Sequence, residues 1–116
     1  MKKLLLMMTF LVTAMSLAQS KSAKASIEVD GVCGMCKARI EKTAIKMSGV
    51  KSAQWSIATH ELALIFDENK TSLDSIAKTI AGVGHDTRAY KAPDEAYEKV
   101  NPCCKYRDDE VVKAHQ

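Results

Sequence analysis

Residues 30–36 of the chain read DGVCGMC, and the interpretation of the whole sequence depends on this stretch. It contains Cys33 and Cys36 and lies between a strand-like run and a run with helical spacing. The two thiols are therefore expected at a helix N-terminus, where free backbone N–H groups and the helix dipole favour the thiolate. A thiolate is both a soft-metal ligand and a redox nucleophile. The motif alone leaves metal binding, redox chemistry and a plain disulfide as alternatives.

The segments on either side of this motif have the hydrophobic spacing of a strand and a helix. Residues 27–29 alternate between apolar and polar, which predicts a short strand with one face toward a core. Over residues 37–47 the apolar side chains recur every three or four positions, which predicts an amphipathic helix. Cys36 falls on the buried stripe of this helix, and Gly49 follows it at the position of a C-terminal stop.

The next part of the chain predicts two strands, a helix and a last strand. Residues 50–57 and 61–66 both alternate, and the connection between them is too short for a helix, so they are expected to pair antiparallel. Residues 73–80 have the spacing of a second amphipathic helix. Residues 86–90 are long enough for one more strand.

This order predicts an α+β fold, a ferredoxin-like βαββαβ sandwich with two helices on one face of a four-stranded antiparallel sheet. In that topology the loop after the first strand and the loop after the second helix lie at the same edge of the sheet. His85 is therefore expected near Cys33 and Cys36, although it is far from them in sequence. It is a candidate third metal ligand, with a solvated loop histidine as the alternative.

The first residues have the three-part pattern of a secretory signal peptide, which predicts residues 1–18 as a cleaved segment. Lys2 and Lys3 give a basic start, an apolar run follows, and cleavage is expected after Ala18. An N-terminal membrane anchor is the alternative, but the apolar run is short for a bilayer span of about 20 residues. The mature protein is expected to be periplasmic or secreted, with residues 19–25 as a flexible leader.

The charge balance of the mature chain argues against a nucleic-acid partner. Loss of Lys2 and Lys3 reduces the 17 basic residues to 15 against 14 acidic ones, a formal net charge near +1. The cationic side chains are also scattered, with no basic face interleaved with aromatics. Export would place the four cysteines in an oxidising compartment, where disulfides are permitted.

Residues 91–116 form a C-terminal extension beyond the pattern of strands and helices. They contain the adjacent pair Cys103-Cys104 and, near the end, His115. These three residues are candidates for a second soft-metal site. A structural disulfide or a crosslink to another chain is the alternative, and the sequence does not choose between them.

The domain as a whole resembles the heavy-metal-associated domain family. The matching positions, in order, are Gly31, Cys33, Gly34, Met35, Cys36, Ile40, Gly49, Val50, Asp67 and Gly84. The resemblance covers residues 26–90. The family includes copper chaperones, the metal-binding domains of copper-transporting ATPases, and periplasmic mercury-binding proteins. In the usual family loop a methionine precedes the first cysteine, whereas here Met35 lies between the two cysteines.

The resemblance implies a metallochaperone and not an enzyme. Cys33 and Cys36 would bind Cu(I) on an exposed loop and pass it to a metal-transporting membrane protein or another metal-binding protein. Hg(II), Zn(II) and Cd(II) are alternative ions, because thiolates bind all of them. Met35 is expected to fill a gap in the core and not to act as a ligand.

A thiol–disulfide oxidoreductase is the rival interpretation, because it also uses a low-pKa cysteine at a helix N-terminus. Such enzymes usually carry an aromatic residue before the first cysteine and a proline within the motif. Here these positions are occupied by Val32 and by Gly34 and Met35. We therefore favour metal binding.

Overall fold

A computed structural model describes residues 22–116 of the chain. In chain order the elements are β1 (Ser22–Glu28), α1 (Gly34–Ile45), β2 (Val50–Trp55), β3 (Glu61–Asp67), α2 (Leu73–Gly82), α3 (Asp94–Glu98), a 3-10 helix (Pro102–Cys104) and α4 (Asp109–Ala114). The predicted signal peptide, residues 1–18, lies outside the described residues. Within the described range, every helix is too short or too polar to cross a membrane.

The three strands form one antiparallel sheet in the order β1-β3-β2, with β3 in the centre. Alternate residues of β3, namely Leu62, Leu64 and Phe66, are buried. This is the face that the two-residue repeat of the sequence predicts to be apolar. β1 and β2 place Ile27 and Trp55 on either side of Leu62, so all three strands contribute to one core.

The two long helices cover the same face of the sheet. In α1 the buried side chains are Cys36, Ile40 and Ala44, the stripe that the helical spacing predicts. In α2 the N-cap residue Ser72 accepts a hydrogen bond from the backbone N–H of Ser75 at 3.1 Å, which satisfies one free donor of the first turn. The core continues into the extension, because Val100 and Cys104 are buried with the side chains of the sheet and α1.

The predicted flexible leader is shorter than expected at its C-terminal end. Residues 22–25 form the first half of β1, and Ser22 pairs with Asp67 at the end of β3. Ala23 and Ala25 pack against the core. Because β3 extends to Asp67, the chain before Ser26 has backbone partners available and continues the strand.

The predicted strand over residues 86–90 is reduced to a single bridge between Thr87 and Val29, so the sheet of the described residues has three strands. The backbone N–H of Thr87 donates to the carbonyl of Tyr90 at 2.8 Å, which turns the chain away from β1. The carboxylate of Asp86 then accepts a hydrogen bond from the N–H of Ala92. The chain therefore turns toward the extension before a fourth strand can form.

The extension folds back onto the domain around Gly84 and Asp86. Gly84 has φ +110°, and a Cβ atom there would lie 2.6 Å from Val100 Cγ1, so glycine is required both by conformation and by space. The hydroxyl of Tyr106 donates to the Gly84 carbonyl at 2.7 Å and accepts from the Asp86 N–H at 2.9 Å. The guanidinium of Arg107 donates to the Asp86 carboxylate at 2.7 Å.

The Asp86 carboxylate gives a prediction about stability and pH. Burial works against its ionisation, but the Arg107 guanidinium and the Ala92 N–H outweigh burial and hold the pKa of Asp86 below its ordinary 3.8. An acid with a lowered folded-state pKa contributes stability that is present above about 3.8 and is lost as pH falls through the folded-state pKa. We expect Asp86→Asn to lower the free energy of unfolding at pH 7 by about 2 kcal/mol.

Urea denaturation of the reduced protein at pH 7 and at pH 3 checks this prediction. The wild type should lose more stability on acidification than Asp86→Asn does. Asp94→Asn is the matched control, because Asp94 also accepts from Arg107 but is largely exposed, and its removal should change stability little. Equal urea midpoints for wild type and Asp86→Asn at pH 7 would contradict the prediction.

Candidate metal centre

The Cys-x-x-Cys loop packs against the indole ring of Trp55 at Gly31. A Cβ atom on Gly31 would lie 3.0 Å from both the Cys36 Cβ and the Trp55 ring, so the loop packs directly on the indole. The indole N–H donates to the Val29 carbonyl at 3.0 Å, which fixes the ring under the loop. Cys33 then has extended backbone dihedrals at the N-cap of α1, and the helix begins at the next residue. The local structure is the one predicted from the motif.

The Sγ atoms of all four cysteines of the chain lie close together at this loop. The Sγ atom of Cys33 lies 3.3 Å from that of Cys36, 3.4 Å from that of Cys103 and 3.2 Å from that of Cys104. The Sγ atoms of Cys103 and Cys104 are 3.9 Å apart, and all four thiols are free. Sulfurs around a single four-coordinate ion lie about 3.8 Å apart, given metal–sulfur bonds of about 2.3 Å. The thiols of Cys33, Cys103 and Cys104 are thus close enough for one soft ion to bridge them with small movements, and Cys36 lies beside Cys33.

The candidate second site, which grouped Cys103 and Cys104 with His115 and apart from Cys33, is therefore wrong in its grouping. Cys103 and Cys104 lie on the 3-10 helix of the extension, which packs against the N-terminus of α1 and brings them to Cys33. His115 does not join them: its Nδ1 atom bonds the Val111 carbonyl at 2.8 Å. Among residues 22–116, Cys33, Cys103 and Cys104 form the group whose ligand atoms all lie within 4.8 Å of one another.

The expectation of an exposed loop is also wrong. Cys33 is 8% exposed, and Cys36 and Cys104 are fully buried, because the extension covers the loop. Met35 was expected in the core but is 53% exposed. Its Sδ atom lies 3.4 Å from the Cys103 Sγ, so the accessible edge of the cluster consists of sulfur atoms.

The thiols of the cluster differ in how readily they ionise. Burial works against ionisation of Cys33, but the backbone N–H of Cys36 and the neighbouring thiols more than offset it and lower the pKa of Cys33 to about 7. Burial raises the pKa of Cys36 and, together with the Cys36 and Cys33 thiols, raises that of Cys104 strongly. Cys33 is therefore the first thiolate of the cluster and the first available soft ligand.

His85 lies at the predicted edge of the sheet, but it is not part of the cysteine group. Its ring is fully buried and stacks on Tyr106, and Nδ1 lies 2.9 Å from the Asp30 carbonyl oxygen. A carbonyl only accepts, so Nδ1 carries the proton of the neutral ring. Nε2 is a buried atom without a hydrogen-bond partner in residues 22–116. The assignment of His85 as third ligand thus remains a prediction, and its observed role is to connect the late loop to Asp30.

The burial of His85 predicts a second pH effect. Burial lowers the pKa of His85 below its ordinary 6.5, and the Asp30 carbonyl opposes this only in part. The His85 imidazole then binds a proton more tightly in the unfolded chain than in the folded one. Its contribution to stability is therefore fully present above pH 6.5 and decreases as pH drops below that value. His85→Gln keeps a donor for Asp30 without this titration. Urea midpoints of the reduced protein at pH 7.5 and 5.5 should fall less in His85→Gln than in the wild type; an equal fall would contradict the prediction.

Comparison with known proteins assigns residues 26–86 to a family. The heavy-metal-associated domain matches residues 26–86. The copper chaperone CopZ of Staphylococcus haemolyticus is 29% identical over 63 residues, which are 53% of this chain and 93% of that protein. A copper-exporting P-type ATPase of Staphylococcus saprophyticus is 31% identical over 68 residues, which are 58% of this chain but 9% of the ATPase.

A solved structure supports the same assignment. The water-soluble region of the P-type ATPase CopA from Bacillus subtilis is 31% identical, with a TM-score of 0.56, over 60% of this chain and 46% of that one. This likeness confirms the predicted ferredoxin-like fold. The family match includes Cys33 and Cys36 and ends at residue 86, before Cys103 and Cys104. Because that match spans more than half of the sequence, the chain belongs to the heavy-metal-associated domain family and is a metal carrier, not an enzyme.

Proposed function

We propose that this protein binds Cu(I) through Cys33 and Cys36 and passes the ion to a copper-transporting partner. The observation that carries the proposal is the placement of the two thiols 3.3 Å apart at the N-terminus of α1, in the fold of a metal carrier. The lowered pKa of Cys33 supplies the first thiolate near neutral pH. Two of the similar proteins are named as a copper chaperone and a copper exporter.

The donor atoms favour Cu(I) over harder ions. The ligand atoms that converge on Cys33 are all sulfur, and in the described part of the chain no carboxylate or imidazole belongs to the same group. Thiolates select soft ions, whereas oxygen ligands select Mg²⁺ and Ca²⁺. Hg(II), Zn(II) and Cd(II) bind thiolates as well, so metal selectivity is part of the test.

The N-terminal pattern supports a proposal for the compartment, and the copper-transporting relatives support a proposal for the partner. The signal peptide predicted over residues 1–18 supports export to the periplasm or beyond the cell. There the protein would meet a copper-transporting ATPase or another metal-binding protein. Transfer is ligand exchange: a partner thiolate binds Cu(I), one protein thiolate leaves, and the charge of the ion does not change.

A metal titration of the reduced mature chain, residues 19–116, tests the proposal. Trp55 is the single tryptophan of the chain and packs under the loop, so its fluorescence should respond as Cu(I) binds. We expect binding in competition with a Cu(I) chelator, and weaker binding of Zn(II). The Cys33→Ser/Cys36→Ser variant should lose affinity for Cu(I) by roughly a hundredfold or more. Wild-type Cu(I) affinity in that variant would overturn the proposal.

The oxidoreductase alternative is tested by insulin reduction without metal. A metal carrier of this design should show no catalytic turnover, because its cysteines are covered by the extension and lack the proline of the usual motif. Thioredoxin serves as the positive control. Sustained turnover that disappears in Cys33→Ser/Cys36→Ser would refute the metal-carrier proposal.

A further inference from the structure

We infer that Cys103 and Cys104 are the second half of the metal centre, so that the C-terminal extension closes the site over the ion and must undock before the ion leaves. This inference rests on the proposed function, because it assumes that Cys33 and Cys36 bind the metal. It adds two ligands and a step that controls release. Both cysteines lie beyond the family match, which ends at residue 86.

The position of Cys104 is determined by the core and not by a mobile tail. Its side chain is fully buried and belongs to the same cluster as Cys36 and Ile40. Val100, four residues earlier in the chain, packs against Gly84 at a distance that leaves no room for a Cβ atom there. The thiol of Cys104 is therefore held near Cys33 by apolar packing.

The backbone of the Cys103-Cys104 turn is held just as closely. Pro102 begins the 3-10 helix, and its ring fixes one backbone dihedral of the turn. The N–H of Cys104 donates to the Asn101 carbonyl at 2.7 Å, and the N–H of Tyr106 donates to the Cys104 carbonyl at 2.7 Å. A rigid turn that presents two thiols to a third is a preorganised ligand set.

The sulfur atoms of the cluster are arranged around Cys33. Its Sγ atom lies 3.2–3.4 Å from those of the other three cysteines, and the Sγ atoms of Cys33, Cys103 and Cys104 all lie within 4.8 Å of one another. A converging set of sulfur donors of this kind selects a soft cation.

The exposed edge of the cluster shows where the ion would enter and leave. Cys36 and Cys104 are inaccessible, whereas Met35 and Cys103 are at the surface with their sulfurs 3.4 Å apart. The amide of Asn101 donates to the Met35 sulfur at 3.7 Å and keeps it beside Cys103. A partner thiolate would first replace Cys103, and full release would follow when the extension moves away.

The test compares three variants of the reduced mature chain loaded with Cu(I). X-ray absorption counts the sulfur ligands, and transfer to a competing chelator gives the release rate. The wild type should have at least three sulfur ligands, and Cys103→Ser/Cys104→Ser should have fewer, because only Cys33 and Cys36 then remain. That variant should release Cu(I) roughly tenfold faster or more, because two tethered thiols no longer compete with the chelator. His115→Gln, in the same extension but outside the cluster, is the matched control and should behave as wild type.

Arg107→Gln tests undocking with all four thiols intact. It removes the ion pair with Asp86 and should also speed release, without lowering the number of cysteines. This variant keeps the inference testable even if Cys103→Ser/Cys104→Ser, with two polar replacements in a packed turn, fails to fold. The urea midpoint and Trp55 emission of each metal-free variant report folding.

The outcomes separate the two proposals. If Cys103→Ser/Cys104→Ser folds, binds Cu(I) and matches the wild type in sulfur count and release rate, the inference about the extension is overturned while the proposed function stands. A wild-type release rate in Arg107→Gln would likewise overturn the undocking step. If Cys33→Ser/Cys36→Ser binds Cu(I) as the wild type does, the proposed function itself fails.

Discussion

The packing of the 3-10 helix against the Cys-x-x-Cys loop is the constraint on which the rest of the site depends. It buries Cys104 in the core and brings its thiol 3.2 Å from that of Cys33. Without this contact the loop would be an open pair of cysteines at the edge of a small sheet. With it, the extension and the domain share one core and one set of sulfur atoms.

Two further interactions hold the extension in place, and both involve the loop that follows α2. Gly84 admits Val100 and Ala96 to close approach, and Asp86 binds the guanidinium of Arg107. The hydroxyl of Tyr106 links the same two positions. A loop that the ferredoxin-like topology places beside the metal motif thus becomes the docking point of a segment from outside the domain. The same interactions turn the chain away from β1 after a single bridge.

Much of this arrangement was predictable because it follows from local spacing. The alternation of residues 61–66 and the helical stripe through Cys36 and Ile40 predicted the correct elements, and their order predicted the correct fold. The edge of the sheet at which His85 lies was also predictable, because topology alone determines which loops are neighbours. The last strand was not, because the hydrogen bonds of Asp86 with the extension compete with strand pairing.

The sequence by itself determined the Cys-x-x-Cys loop, its place before α1 and its capacity for thiolate chemistry, because these depend on spacing and on the nature of thiols. Only the tertiary structure decided that Cys103 and Cys104 join Cys33 and Cys36 and that the loop is covered. No local repeat connects cysteines 70 residues apart. Their meeting depends on Val100 and Cys104 entering the core and on Asp86 pairing with Arg107, and such long-range packing leaves no periodic signal in a single sequence.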